Sequence, residues 1–171
     1  READTVARLG GDEFAVILAE TDEDAARRVG EKLIAALREP FTIDAHRLCV
    51  DASIGLACYA RHGETVDTLL RHADLAMYEA KRGGGSGVAV FAPHLNARAE
   101  AELTLEEDLR RALDEDELEL HYQPQVTRGI DGACRLEALV RWNHPAKGLL
   151  GPDHFIPLAE ARGQIQRIGA W

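Results

Sequence analysis

The stretch Arg8-Leu9-Gly10-Gly11-Asp12-Glu13-Phe14 decides how this chain is read. Val6 and Leu9 lead into it, and Phe14-Ala15-Val16-Ile17-Leu18 leads out. Two glycines between apolar runs mark a hairpin over residues 5–18, because glycine takes positive φ without a Cβ clash. The same turn lets backbone come close to a phosphate. Asp12 and Glu13 at its tip offer oxygen ligands to Mg²⁺, a hard cation that favours a few carboxylates together with phosphate oxygens. Metal ions that bridge phosphates are what nucleotidyl transfer needs. From residue chemistry alone, a plain polar hairpin turn explains the stretch equally well.

Downstream, Thr21 and Asp24 resemble a capping box. They precede a helix with Ala26, Val29, Leu33, Ala36 and Leu37 on one face, closed by Pro40. Residues 41–43 and 47–58 read as a second strand pair around Asp44-Ala45. Cys58 falls in phase with Val50, Ala52, Ile54 and Leu56, as a core residue would. Val66, Leu69, Leu70, Ala73, Met77 and Ala80 recur at helical spacing up to Gly83, and Val88–Phe91 reads as a short strand. Pro93 to Arg98 reads as a linker. The acidic helix that follows carries Leu103, Leu105, Leu109, Ala112 and Leu113, and its charges are a solvated face.

A second domain is expected near Leu118. Residues 118–123 and 136–142 alternate as strands do. The connection between them, about Thr127 to Ala133, is too short for a parallel crossover, so the two strands are expected to be antiparallel. Glu137 and Arg141 share a strand face with Leu139. Buried in a barrel mouth, such a pair is costly unless it binds something, such as Mg²⁺ and a phosphodiester. As an edge-strand ion pair it is worth little, and by pattern alone that is the stronger reading. Tyr122, Trp142 and His144 read as packing residues, with Tyr122 and Trp142 on the face opposite Gln123 and Glu137. Residues 152–171 read as a loop and then a helix.

Composition narrows the function classes. The 171 residues carry a formal charge of −10, and no Lys/Arg block stands out. That argues against sequence-independent DNA or RNA binding, which relies on basic surface. Local arginines or metal ions must then hold any anionic ligand. The three cysteines, Cys49, Cys58 and Cys134, form no CxxC pair. This argues against a disulfide framework or a zinc site and for a reducing cytosol. No apolar run approaches the roughly 20 residues needed to span a bilayer, and no signal peptide is visible. The chain opens on Arg1 and closes on Trp171 within an apolar stretch, so both ends are expected to be cut.

The Gly10–Phe14 signature resembles the GGDEF, or diguanylate cyclase, family. Further stretches match: Arg1-Glu2-Ala3-Asp4 at the RxxD spacing ahead of the turn, Asp51–Ala57, and Ala73–Lys81. The resemblance covers about residues 1–92. It implies the C-terminal half of a GGDEF domain, α/β with a mixed, largely antiparallel, nucleotide-cyclase-like sheet. It implies that Asp12 and Glu13 bind Mg²⁺ and serve catalysis, with Asp12 helping to activate the attacking 3′-hydroxyl of GTP. By the same resemblance Gly10 and Gly11 approach the nucleotide, Lys81 contacts GTP phosphates, and Arg1 and Asp4 form an inhibitory cyclic-di-GMP site. The end of the last helix departs from the family's Lys-x-x-Gly-Arg-Asn, since Gly85 and Ser86 stand at the Arg and Asn positions. An arginine that would neutralise phosphate charge is missing there, unless Arg82 reaches instead.

Tyr122-Gln123-Pro124, then Glu137-Ala138-Leu139-Val140-Arg141-Trp142, then Gly151-Pro152 to Phe155-Ile156-Pro157-Leu158-Ala159-Glu160 resemble the opening of an EAL domain. The resemblance covers about residues 103–171, with 93–102 as a linker. It implies the start of a TIM-like barrel whose first strand runs antiparallel, with its site at the strand C-terminal ends. Glu137 is then a ligand of Mg²⁺ or Mn²⁺, and Gln123 and Arg141 contact cyclic di-GMP, which is opened to linear pGpG. Taken together, the resemblances imply a cytoplasmic signalling protein, homodimeric at full length, that uses GTP and cyclic di-GMP. This segment would touch neither nucleic acid nor membrane. The fragment alone is expected to be inactive, and a degenerate receptor that only binds GTP or cyclic di-GMP is the alternative.

Overall fold

A computed structural model describes residues 3–126 and 134–171. The chain divides into two compact units, Arg1–Ala97 and Arg98–Trp171. No helix among the described residues is long and apolar enough to cross a membrane.

In the first unit, β1 (Thr5–Gly10) and β2 (Glu13–Ile17) form the expected antiparallel hairpin. Gly11, at φ 51°, makes the turn that a Cβ would strain. Most of its apolar side chains are exposed, Val6 at 70% and Ile17 at 65%. Helix α1 (Glu23–Arg38) follows, but its N-cap is Asp22, whose carboxylate accepts from the Ala25 N–H at 2.7 Å. Thr21 instead donates its hydroxyl to the Ala19 carbonyl, so the capping box expected at Thr21 and Asp24 does not form.

The strand pair expected at 41–43 and 47–58 also needs correction. β3 (Phe41–Ile43) pairs with β4 (His46–Leu48) only. After a break, β5 (Ser53–Leu56) pairs in parallel with β6 (Gly87–Val90), across helix α2 (Val66–Arg82). That is a βαβ crossover, which needs the length α2 provides. Helix α2 lies close on β5. A Cβ on Gly55 would stand 1.8 Å from the Ala73 carbonyl oxygen and 2.3 Å from the Met77 nitrogen. Ala76, Phe91 and Leu95 form a small core.

Helix α3 runs from His94 to Ala112 without a break, so residues 94–102 form its first turns. In the second unit, β7 (Leu118–Val126) and β8 (Cys134–His144) are antiparallel, as the short connection requires, and β9 (Gly148–Leu150) adds a third strand. The helix read across 152–171 is broken in two, α4 (Ile156–Ala161) and α5 (Ile165–Ala170), at Gly163 with φ 68°. The core gathers Leu109, Ala112, Leu118, Trp142, Phe155, Ala159 and Ile168.

Two polar side chains at the edge of that core, Trp142 and His144, are hydrogen-bonded, whereas the buried Gln164 Oε1 has no partner among the described residues. The Trp142 Nε1–H donates to Glu117 at 2.9 Å. His144 is 4% exposed. Its Nδ1 accepts from the Ala146 N–H at 3.1 Å, and its Nε2–H donates to Asp108 at 3.1 Å. Trp142 and His144 are therefore packing residues, as their pattern suggested. Tyr122, expected to pack as well, is 60% exposed.

Candidate functional site

The β1–β2 turn carries the first set of residues. Gly10 pairs with Glu13 and Arg8 with Phe14, with a bulge at Leu9. The Arg8 guanidinium donates to the Gly11 carbonyl through Nε at 3.0 Å and Nη2 at 2.6 Å, and lies 6.0 Å from the centre of the Phe14 ring. Arg8 thus braces the glycine turn from below. Asp12 and Glu13 are exposed, and among the described residues their carboxylates take part in no side-chain hydrogen bond or ion pair. Their oxygens are left for a cation. Asp4 is half-buried one residue before β1. Arg1, its expected companion, lies outside the described residues.

Lys81 sits exposed in the last turn of α2, and among the described residues its ammonium has no ion pair with the turn. The departure from the family pattern has its own structure. Gly84 and Gly85 take φ of 139° and 81°, and Ser86 points away to a cluster under the β5–β6 pair. Its hydroxyl donates to the Asp51 carboxylate and accepts from Arg38 Nη2 at 2.9 Å, while Arg38 Nε reaches Asp51 at 3.2 Å. The Ser86 hydroxyl first, and the Arg38 guanidinium after it, hold the Asp51 carboxyl below its usual range. Spacing gave no sign of this cluster, because its members are far apart in sequence: Arg38 ends α1, and Asp51 and Ser86 lie in the segments before β5 and β6.

The second set lies on the β7–β8 pair. Gln123 faces Glu137 and Glu119 faces Arg141 across the ladder, so all four share one face. Gln125 Nε2 donates to Glu137 at 2.9 Å. Arg141 Nη1 donates to the Val140 carbonyl at 2.9 Å. Among the described residues Arg141 has no carboxylate partner, which removes the edge-strand ion pair that pattern alone favoured. An exposed carboxylate oriented by an amide, with an arginine four residues further along the same strand face, suits a metal ion and a phosphodiester.

Comparison with known proteins gives matches for both parts of the chain. Residues 1–87 match the family described as diguanylate cyclase, GGDEF domain, and residues 106–171 match the EAL domain family; both families use divalent metal ions. A cyclic di-GMP phosphodiesterase, NbdA, of Pseudomonas aeruginosa is 43% identical over the whole chain, which spans 22% of that relative. The bifunctional diguanylate cyclase/cyclic di-GMP phosphodiesterase MucR of the same organism is also 43% identical over the whole chain, which spans 25% of it. The crystal structure of the GGDEF domain of PA1120 (YfiN or TpbB), again from Pseudomonas aeruginosa, aligns with a TM-score of 0.52 at 40% identity, over 54% of this chain and 58% of that one. The chain belongs to the GGDEF diguanylate cyclase family, matched over residues 1–87, and its residues 106–171 match the EAL domain family.

Proposed function

We propose that the protein carrying this chain turns over cyclic di-GMP, making it from two GTP in the GGDEF domain and hydrolysing it to pGpG in the EAL domain. The observation that carries this reading is the β1–β2 turn: a braced glycine turn with two exposed carboxylates that pair with no basic side chain among the described residues. Asp12 and Glu13 would hold Mg²⁺, and the ion would supply charge stabilisation for attack of one GTP's 3′-hydroxyl on the other's phosphate. Gly10 and Gly11 admit the nucleotide and Lys81 meets its phosphates. Arg1 and Asp4 bind product as an inhibitor. In the EAL domain Glu137 ligates Mg²⁺ or Mn²⁺, while Gln123 and Arg141 hold cyclic di-GMP. The domains run 1–92 and 103–171 about a linker at 93–102, and the full-length protein works as a cytoplasmic homodimer.

Two variants of the full-length protein test the assignment. Asp12→Ala abolishes conversion of GTP to cyclic di-GMP, followed as product formed by purified protein. Glu137→Ala abolishes metal-dependent hydrolysis to pGpG at saturating Mg²⁺ or Mn²⁺, with folding checked by thermal melt. Removing a merely structural exposed pair costs at most about 1 kcal/mol of stability and leaves turnover alone. A folded variant that turns over at the wild-type rate overturns the corresponding half.

Gly85 and Ser86 favour a second reading for the GGDEF half, in which it binds GTP or cyclic di-GMP without catalysis. Ser86 is committed to Asp51 and Arg38, and Gly85 has no side chain to offer a phosphate. Nucleotide binding without product, in a protein whose EAL half still hydrolyses, would select it.

A further inference from the structure

A cluster outside both motifs has the makings of a metal site. Glu23 at the start of α1, Cys58 after β5 and His62 in the loop that follows offer a carboxylate oxygen, a sulfur and a ring nitrogen, all within 4.8 Å of one another. His62 is 8% exposed, and its position is fixed. The His72 Nδ1–H donates to the His62 carbonyl at 2.5 Å. Phe91 lies edge-on to the His62 ring at 5.5 Å and stacks on His72 at 3.7 Å. The Cys58 N–H donates to His62 Nδ1 at 3.0 Å, so this nitrogen faces Cys58 with its lone pair. Glu23 is held by Arg61 Nη1 at 2.5 Å, and the Arg61 side chain is 69% exposed, free to swing into water.

We propose that Glu23, Cys58 and His62 bind one Zn²⁺, with water as the fourth ligand. The donor set selects the ion: thiolate and imidazole suit zinc and disfavour Mg²⁺ and Ca²⁺. Three protein ligands and a water complete a tetrahedron, with bonds of about 2.0–2.3 Å. On binding, the Cys58 thiol loses its proton to solvent and its sulfur bonds the metal. His62 Nδ1 turns its lone pair from the Cys58 N–H to the ion, that N–H passing to water, and keeps its Nε2 proton. Glu23 exchanges Arg61 for the ion. The metal would then tie the start of α1 to the loop between β5 and α2. The proposal is independent of the cyclase and phosphodiesterase assignments.

Co²⁺ titrated into the full-length protein tests it, because only a thiolate ligand gives the sulfur-to-cobalt charge-transfer absorption; oxygen-ligated ions bound elsewhere do not. The expected result is that absorption at one equivalent, displaced by Zn²⁺, abolished in Cys58→Ser and retained in Cys49→Ser. Glu23→Gln, at a half-buried position, should weaken Zn²⁺ by at least the roughly 10–100-fold that loss of an outer-shell partner costs. Zn²⁺ should raise the melting temperature of wild type and not of Cys58→Ser. Absence of the band in wild type, its persistence in Cys58→Ser, or equal zinc affinity in wild type and Glu23→Gln overturns the site.

Discussion

Ser86 shows how far one hydroxyl reaches. It bonds a carboxylate 35 residues away and is the largest cause of the lowered Asp51 pKa. Ser86→Ala should raise that pKa toward the ordinary carboxylate value, as read by NMR titration of the Asp51 carboxyl. A folded pKa below the unfolded one means that Asp51 stabilises the fold above its unfolded pKa and ceases to as pH falls through the folded value. The variant should therefore lose less stability in acid than wild type does; an unmoved Asp51 titration would contradict the assignment. Asp12, Glu13 and Glu137 were legible as candidates because their chemistry is local to a turn or a strand face. The Arg8 brace was not. Its residue stood in the motif, but its bond to Gly11 depends on the bulge at Leu9, which a strand pattern does not reveal.

At the scale of elements, helices α1 and α2 were legible from apolar spacing and stop signals. The cap of α1 was not. Asp22 takes the N-cap with φ −75° and ψ 168°, an extended geometry from which its short carboxylate reaches the Ala25 N–H. The parallel β5–β6 pair also escaped, because alternation gives strand faces and not partners. That pair rests on the contact between Gly55 and α2. Gly55→Ala should destabilise the fold by about 3 kcal/mol or more, since its Cβ would collide with helix backbone and not with a side chain that could turn aside. Chemical denaturation measures this, and a loss under about 1 kcal/mol, the scale of a tolerated repacking, would mean that α2 shifts freely on the sheet.

At the scale of the whole molecule, each of the two units is organised by its own core. Trp142 and Phe155 are fully buried in the second, their rings 5.6 Å apart and nearly perpendicular. Trp142→Ala should cost about 3–5 kcal/mol and leave the Glu117 carboxylate without its indole partner. Urea unfolding reads the loss, and an unchanged midpoint would show that this core is not what holds the unit together. The sequence by itself determined what is local: the glycine turn and its carboxylates, the helical faces, the antiparallel β7–β8 pair, and the family resemblance of both halves. The local elements follow from backbone periods of two and 3.6 residues, from the conformational freedom of glycine, and from the reach of a short connection; the family resemblance rests on the quoted motifs. Tertiary structure alone decided which distant groups meet. Asp51 with Arg38 and Ser86, His144 with Asp108, and Glu23 with Cys58 and His62 are each brought together by packing between elements. Their sequence separations carry no period, so only the folded chain brings the first two sets within hydrogen-bonding distance and the third within 4.8 Å.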